Sequence, residues 1–391
     1  MKKSRFIKRI ALVMVVFIIL SLSACGSAPG GAGKAGSVSN ASGAGSAGAA
    51  GSASGTGGTG GTGGASGASG AGGSAEKKVE LKLAHFWPAT HPVEVDLVQP
   101  WIAAVKEATE GRVIVTSYPS ETLIPSAEIY EGIKQGVADA GLSCFSYTRG
   151  QFPVLEVFEL PGIVYNNSAA ASKIAWEGIK ELNPKEVQDT TLMMVFTTGP
   201  GNLFTRNPVK SLSDLKGLEI RATGLSAATL KALGATPVAM PQSEAYDSLS
   251  KGVVKGNLGP TEILKGWNQA EVTKYITETP FLYNTLFFFT MNSTKWGTIS
   301  EKDQKAILDI NQKFFDNVAC GLWDSQNETA FKYAVNEKGM EVIKLTAEEA
   351  KIWTDMVKPV QDDFVSKMDG LGFKGREILD TVKKLSDKYN K

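Results

Sequence analysis

The chain has 391 residues, with 41 basic and 40 acidic side chains, and this near-balance excludes an extended nucleic-acid-binding surface. Three cysteines and two histidines, none of them clustered at metal-ligand spacing, exclude a zinc site. No G-x-S-x-G elbow, P-loop or dinucleotide fingerprint is present, so neither catalytic residues nor a cofactor are expected.

The first residues set the compartment. Lys2, Lys3, Arg5, Lys8 and Arg9 precede an unbroken apolar run from Ile10 to Leu20. That run is about half the ~20 residues a bilayer-spanning helix needs, so residues 1–24 read as a secretory signal. Leu22-Ser23-Ala24-Cys25 resembles the bacterial lipobox, where the cysteine is lipidated and becomes the first residue. Ordinary signal cleavage beside an incidental cysteine is the alternative. Subtracting the signal's five basic residues from 41 leaves 36 against 40 acidic ones, a net charge of −4.

Residues 25–76 are almost entirely Gly, Ala, Ser and Thr. Such a segment buries too little apolar surface to offset its chain entropy, and reads as a disordered tether. Its r.m.s. span is roughly 35–42 Å by the flexible-chain rule. No later stretch is long and apolar enough to cross a bilayer, Phe281 to Met291 included. These features together predict an extracytoplasmic protein held to a membrane by its lipid, such as palmitate, alone.

About 315 residues remain from Glu76 onward, enough for two domains. Glu80 to Ala84 alternates like a strand, and Leu97, Trp101, Val105 and Ala108 recur at helical spacing. Arg112 to Tyr118 is a second, β-branched strand. A helix follows, N-capped by Ser126, with Ile129, Ile133 and Val137 on one face. This alternation predicts an α/β fold with a largely parallel sheet.

Residues 126–142 are echoed by residues 242–258. Glu128/Glu244, Tyr130/Tyr246, Gly136/Gly252, Val137/Val253 and Leu142/Leu258 are identical in register. Chance similarity between two helix-turn-strand units is one reading. Two lobes of like construction, whose strand ends Ser143-Cys144 and Gly259-Pro260 face a common cleft, is the other. Phe281 to Met291 reads as a long buried strand returning to the first lobe. Ile307, Ile310, Phe314 and Val318 mark a helix, and Leu345 to Glu349 offers another capped start. The expected organisation is a two-lobe, periplasmic-binding-protein-like clamshell with cross-over strands and long C-terminal helices. Lobe 1 takes residues 77–198 and 286–322; lobe 2 takes 199–285 and 323–391, the C-terminal helices included.

Asp214-Leu-Lys-Gly-Leu-Glu-Ile-Arg221 is followed by Leu233-Gly-Ala-Thr-Pro-Val-Ala-Met240, then Glu244, Tyr246, Leu249 and Gly252-Val253-Val254. With Gly111-Arg112-Val113, Tyr118-Pro119, Gly136-Val137-Ala138-Asp139 and Leu160-Pro161, these residues resemble the solute-binding subunits of TRAP transporters, the dicarboxylate-binding (DctP-like) family. The resemblance covers nearly all of residues 80–391. It implies a receptor, not an enzyme, that hands a small organic carboxylate to membrane subunits of a secondary transporter. It also implies that Arg221 holds the ligand carboxylate. A guanidinium suits that task because its rigid donor fork meets a carboxylate in two parallel bonds. A structural ion pair with Asp214 or Glu219 is the competing reading.

The departures from the family pattern bear on the ligand. The second arginine that many dicarboxylate and sugar-acid binders carry on an upstream strand is replaced by Gly199-Pro200-Gly201-Asn202. Relatives often have an aromatic residue at the place of Gln242, and asparagine before proline at that of Gly259. In the first lobe, Ala84-His85-Phe86-Trp87-Pro88 lies where relatives touch ligand; Phe86 and Trp87 read as cleft walls or core aromatics. Cys144 and Tyr147 at the next strand end are neutral. These features point to a monocarboxylate with an apolar or aromatic body. His85 and His91 read as loop or rim residues, and Cys144 and Cys320 as independent buried thiols. A receptor of the same lobes serving an ABC importer or a sensor kinase is the alternative function.

Overall fold

The computed structural model describes residues 78–391; the signal, Cys25 and tether readings lie outside them. The chain enters as β1 (Val79–His85), whose alternation sends Leu81 and Leu83 into the core. Helix α1 (Gln99–Ala108) carries it to β2 (Val113–Tyr118), α2 (Ile129–Lys134) to β3 (Ala140–Cys144), and α3 (Ser168–Leu182) to β4 (Thr191–Thr197).

The chain then builds a second sheet. In order come β5 (Asn202–Thr205), α4 (Leu212–Leu215), β6 (Glu219–Ala222), α5 (Gly224–Ala232) and β7 (Thr236–Ala239). They are followed by α6 (Ala245–Ser250), β8 (Gly256–Gly259), α7 (Ile263–Gly266) and β9 (Tyr275–Glu278). It returns as β10 (Leu286–Met291), α8 (Ser293–Trp296), α9 (Glu301–Asn317) and α10 (Leu322–Lys332), adds β11 (Glu341–Lys344), and ends in α11 (Ala347–Gly370) and α12 (Gly375–Tyr389).

The strand orders are β2-β1-β3-β10-β4 and β11-β9-β5-β8-β6-β7. Neither sheet is purely parallel: β10 runs antiparallel to β3 and β4, and β5 antiparallel to β8 and β9. The antiparallel strand in each sheet is the one next to a cross-over, because the chain enters the other lobe without an intervening helix. The cross-overs Thr198–Gly201 and Tyr283–Thr285 lie side by side, Thr198 N–H donating to Thr285 O and Gly201 N–H to Tyr283 O, each at 3.2 Å. At Gly199, with φ +68°, a Cβ would sit 2.6 Å from the Ser168 nitrogen, so only glycine fits. The run from Phe281 is therefore not one strand. Its first half is cross-over, and only Leu286–Met291 joins the sheet.

The sequence echo has a structural counterpart. Each copy folds as a 3-10 turn, a six-residue helix, a glycine of positive φ (+77° at Gly136, +72° at Gly252) and a buried strand. The ends match bond for bond: Val137 N–H reaches Gly132 O, and Val253 N–H reaches Ser248 O, closing the same glycine C-cap. Val137 and Val253 lie past that turn and are exposed, so Val137 does not continue the apolar face of α2.

Helix α11, N-capped by Thr346, spans both lobes. Trp353 and Val357 enter the apolar cluster of Leu230 and Ile220, whereas Phe364 and Met368 enter that of Phe158 and Ile174. The latter cluster also takes Ile378, Leu379, Val382 and Leu385 of α12. The last helix thus packs along α3 in lobe 1, not with lobe 2 as expected, because its apolar stripe is buried in the cluster of Phe158 and Ile174. Cys144 and Cys320 are buried free thiols. Among the described residues no helix is long and apolar enough to cross a membrane.

Candidate functional site

Strand β6 is only four residues long, and its third residue, Arg221, faces Asn257 of β8 in the parallel ladder. Burial between β7, β8 and the facing lobe leaves Arg221 2% exposed. Its Nε donates to the Met240 carbonyl at 3.0 Å and its Nη1 to Asn257 Oδ1 at 3.4 Å. Among the described residues no Asp or Glu forms an ion pair with it. Asp214 is instead consumed by the capping box of α4, where the Lys210 and Ser211 N–H groups hold its carboxyl below the usual range. Taking a guanidinium out of water with no countercharge is costly, on the order of several kcal/mol. An acceptor of negative charge in front of it recovers that cost.

Asn257 fixes the guanidinium from behind. Its Nδ2 donates to Gln269 Oε1 at 2.9 Å and to Gln242 Oε1 at 3.3 Å. Both glutamines therefore turn their amide nitrogens away, and each Nε2 is buried without an acceptor among the described residues. Buried donors left open in this way usually have a partner elsewhere, in water or ligand.

Lobe 1 opposes this polar face with aromatic rings. Phe86 stacks on Trp87 at 3.9 Å between centroids, meets Tyr147 edge-on at 5.4 Å and lies parallel to Trp267 of lobe 2 at 6.1 Å. Trp87 abuts Phe287, which stacks on Trp323 at 4.7 Å. Phe86, Trp87, Cys144, Tyr147, Arg221 and Gln242 all line one cavity between the lobes. With the lobes in contact it encloses about 30 Å³. Phe86 and Trp87 also belong to the lobe 1 core, so the two readings of these residues describe one geometry. Burial raises the Tyr147 hydroxyl and the Cys144 thiol well above their ordinary values, keeping this wall uncharged. A separate cavity of about 420 Å³ opens beside α5 and α11, away from Arg221. Glu159 on its wall is pushed up to about 8 by burial.

Three of the expected contacts lie elsewhere. His85 is fully buried because strand alternation puts it on the face of Leu81 and Leu83. There its Nε2 meets Glu94 Oε2 at 2.7 Å, and Ser117 and Gln99 donate to the same carboxylate. Burial works to raise the Glu94 carboxyl, but those bonds outweigh it and hold the group low. Asn202 stitches the cross-over, accepting from Thr279 N–H at 2.9 Å and donating to Thr261 Oγ1 at 3.2 Å. Gly259, its ladder partner, lies with its carbonyl against Gly201. His91 does lie in a loop, but a buried one: it is 2% exposed and bonded to Glu262.

The cavity also takes Glu262, Trp267, Tyr283, Thr285 and Trp323, which the sequence reading missed. Tyr283 and Thr285 were hidden inside an apolar run taken as one strand. Trp267 and Trp323 sit outside any motif, and only proximity to Phe86 and Phe287 marks them.

The sequence pattern of the family described as "Bacterial extracellular solute-binding protein, family 7" (DctP) matches residues 83–368. A TRAP periplasmic solute binding protein from Desulfovibrio salexigens is 33% identical, with a TM-score of 0.70, over 80% of this chain and 97% of that one. A marine metagenome TRAP solute binding protein specific for aromatic acid ligands, in complex with 3-hydroxybenzoate, is 30% identical (TM-score 0.76, 81% of this chain, 100% of that one). A TRAP solute binding protein from Rhodoferax ferrireducens, in complex with copurified benzoate, is 28% identical (TM-score 0.75, 80% and 99%).

Proposed function

The chain belongs to the DctP family of bacterial extracellular solute-binding proteins, the receptors of TRAP transporters, and from that premise we propose that it captures a small aromatic monocarboxylate with Arg221 as the carboxylate anchor. The observation that carries this reading is a buried guanidinium with no acid partner among the described residues, facing a wall of aromatic rings. One cation suits one carboxylate, and neutral aromatic neighbours suit a planar apolar body. Solved relatives that bind 3-hydroxybenzoate and benzoate support the same class.

Capture proceeds by lobe movement. A cavity of about 30 Å³ is too small for an aromatic acid, so the ligand enters when the lobes part, and enclosing it requires the aromatic wall to repack around it. The ligand favours closure only by the difference in its affinity for the two arrangements. Lobe 2 supplies the anion contact and lobe 1 the stacking surface. The closed receptor then docks on TRAP membrane subunits. In this reading Cys25 carries the lipid that keeps the head at the membrane, and replacing it with Ser should release the protein to the soluble fraction; a Cys25→Ser protein still recovered with membranes would exclude the anchor.

The test of the anchor is titration calorimetry over a panel of carboxylates, with Arg221→Ala alongside the unaltered chain. A charge-assisted bond contributes about 1.5–3 kcal/mol, and a bidentate pair more, so affinity should fall about 10²- to 10³-fold. An Arg221→Ala protein that binds the same acid as tightly as the parent would overturn the anchor role. Preference for dicarboxylates over benzoate-like acids would overturn the ligand class.

A further inference from the structure

One pair of buried groups joins the lobes at the edge of the cavity without bonding to Arg221. His91 lies in the loop after β1, and Glu262 opens α7 directly after β8. His91 Nε2 and Glu262 Oε1 are 2.7 Å apart, and the residues are 2% and 3% exposed. The backbone N–H of Val93 donates to His91 Nδ1 at 3.1 Å, which assigns the ring proton to Nε2, aimed at the carboxylate. Glu262 is held in turn, its N–H donating to Asn327 Oδ1 at 2.8 Å. Trp87, Trp267 and Trp323 pack around the imidazole at 6.1–6.5 Å between centroids.

The position of this pair matters as much as its bond. Glu262 lines the ligand cavity on one side, and with His91 it lines an outer cavity of about 380 Å³ on the other. The hydrogen bond is the partition between them. The bond joins elements of different lobes, His91 from the first and Glu262 from the second.

We propose that His91 and Glu262 are positioning residues that form a ligand-independent clasp, holding the lobes together and closing the exit from the cleft. Two weaker bonds reinforce it from the far side: Gln242 N–H donates to Tyr147 Oη at 3.0 Å, and Ser243 Oγ to Glu121 Oε1 at 3.1 Å. The clasp sets how long the receptor stays shut, whereas Arg221 sets what it holds.

Amide hydrogen exchange on the ligand-free full chain tests the clasp without any assumption about the ligand. In Glu262→Ala and in His91→Ala, amides at 88–95 and 260–267 should exchange about tenfold faster, while those of β2 stay as in the parent. Because the two residues act as one unit, the double variant should exchange no faster than either single one. Glu262→Gln keeps an acceptor for the imidazole proton and should recover most of the protection. Unchanged exchange in the alanine variants, or effects that add in the double variant, would overturn the proposal. The consequence for capture rests on the aromatic-carboxylate reading: with benzoate as probe, release should be about tenfold faster in Glu262→Ala, and association faster as well, because the empty receptor is open more of the time. Failure of the parent chain to bind benzoate would count against that ligand class and leave the ligand-free result to decide the clasp.

Discussion

The two lobes contain the same three-strand module and use it differently. In lobe 1 the order β2-β1-β3 puts Ala84 opposite Gly141; in lobe 2 the order β7-β6-β8 puts Arg221 opposite Asn257. The echo aligns Gly141 with Asn257, so Ala84 and Arg221 occupy equivalent places. A Cβ on Gly141 would lie 2.8 Å from the Ala84 carbonyl and 2.9 Å from Ile129 and Ile133, leaving no space for a side chain. In lobe 2 the position of Ile129 is taken by Ala245, and there the asparagine fits. One scaffold thus gives a tightly packed apolar lobe and a lobe with room for a polar network. The charge of the site is confined to the second.

This asymmetry has measurable consequences beyond the loss of binding expected for Arg221→Ala. The larger is in lobe 1, where Gly141→Ala forces overpacking against backbone and two isoleucines. That should cost about 1–3 kcal/mol and lower the melting temperature by several degrees. A melting temperature equal to the parent's would show that the two modules are not distinguished by space at this position. The smaller is at the equivalent residue of lobe 2. Asn257→Ala removes the acceptor behind the guanidinium and should weaken carboxylate binding about tenfold, as expected for one hydrogen bond to a charged group. If affinity is unchanged there while Arg221→Ala abolishes it, the guanidinium needs no support from Asn257, and the polar network is structural alone.

The sequence showed the scaffold more clearly than the site. β1 was legible from alternation, β2 from its β-branched residues, the α11 start from Thr346 and Glu349, and the paired modules from five identities in register. Arg221 was singled out by its motif, and the carboxylate-anchor role given to it is the one proposed above. His85 was misread because a strand one residue longer than its apolar pattern turns that ring into the core, where Glu94 awaits it. Asn202 and Gly259 were misread because residues at a strand end serve cross-over bonds as readily as a cleft. Helix α12 carried a clear apolar stripe, but a stripe does not say which lobe it will cover.

What the residues determined by themselves is local: alternation, caps, glycine turns and a cationic motif each act over a few positions, and each folds as its own chemistry dictates. Which groups meet across the gap was decided by the tertiary structure. His91 and Glu262 stand 171 positions apart, and nothing near either one announces the other. Their contact depends on how two sheets are hung from two cross-over segments, a long-range packing outcome to which no short window of sequence is sensitive.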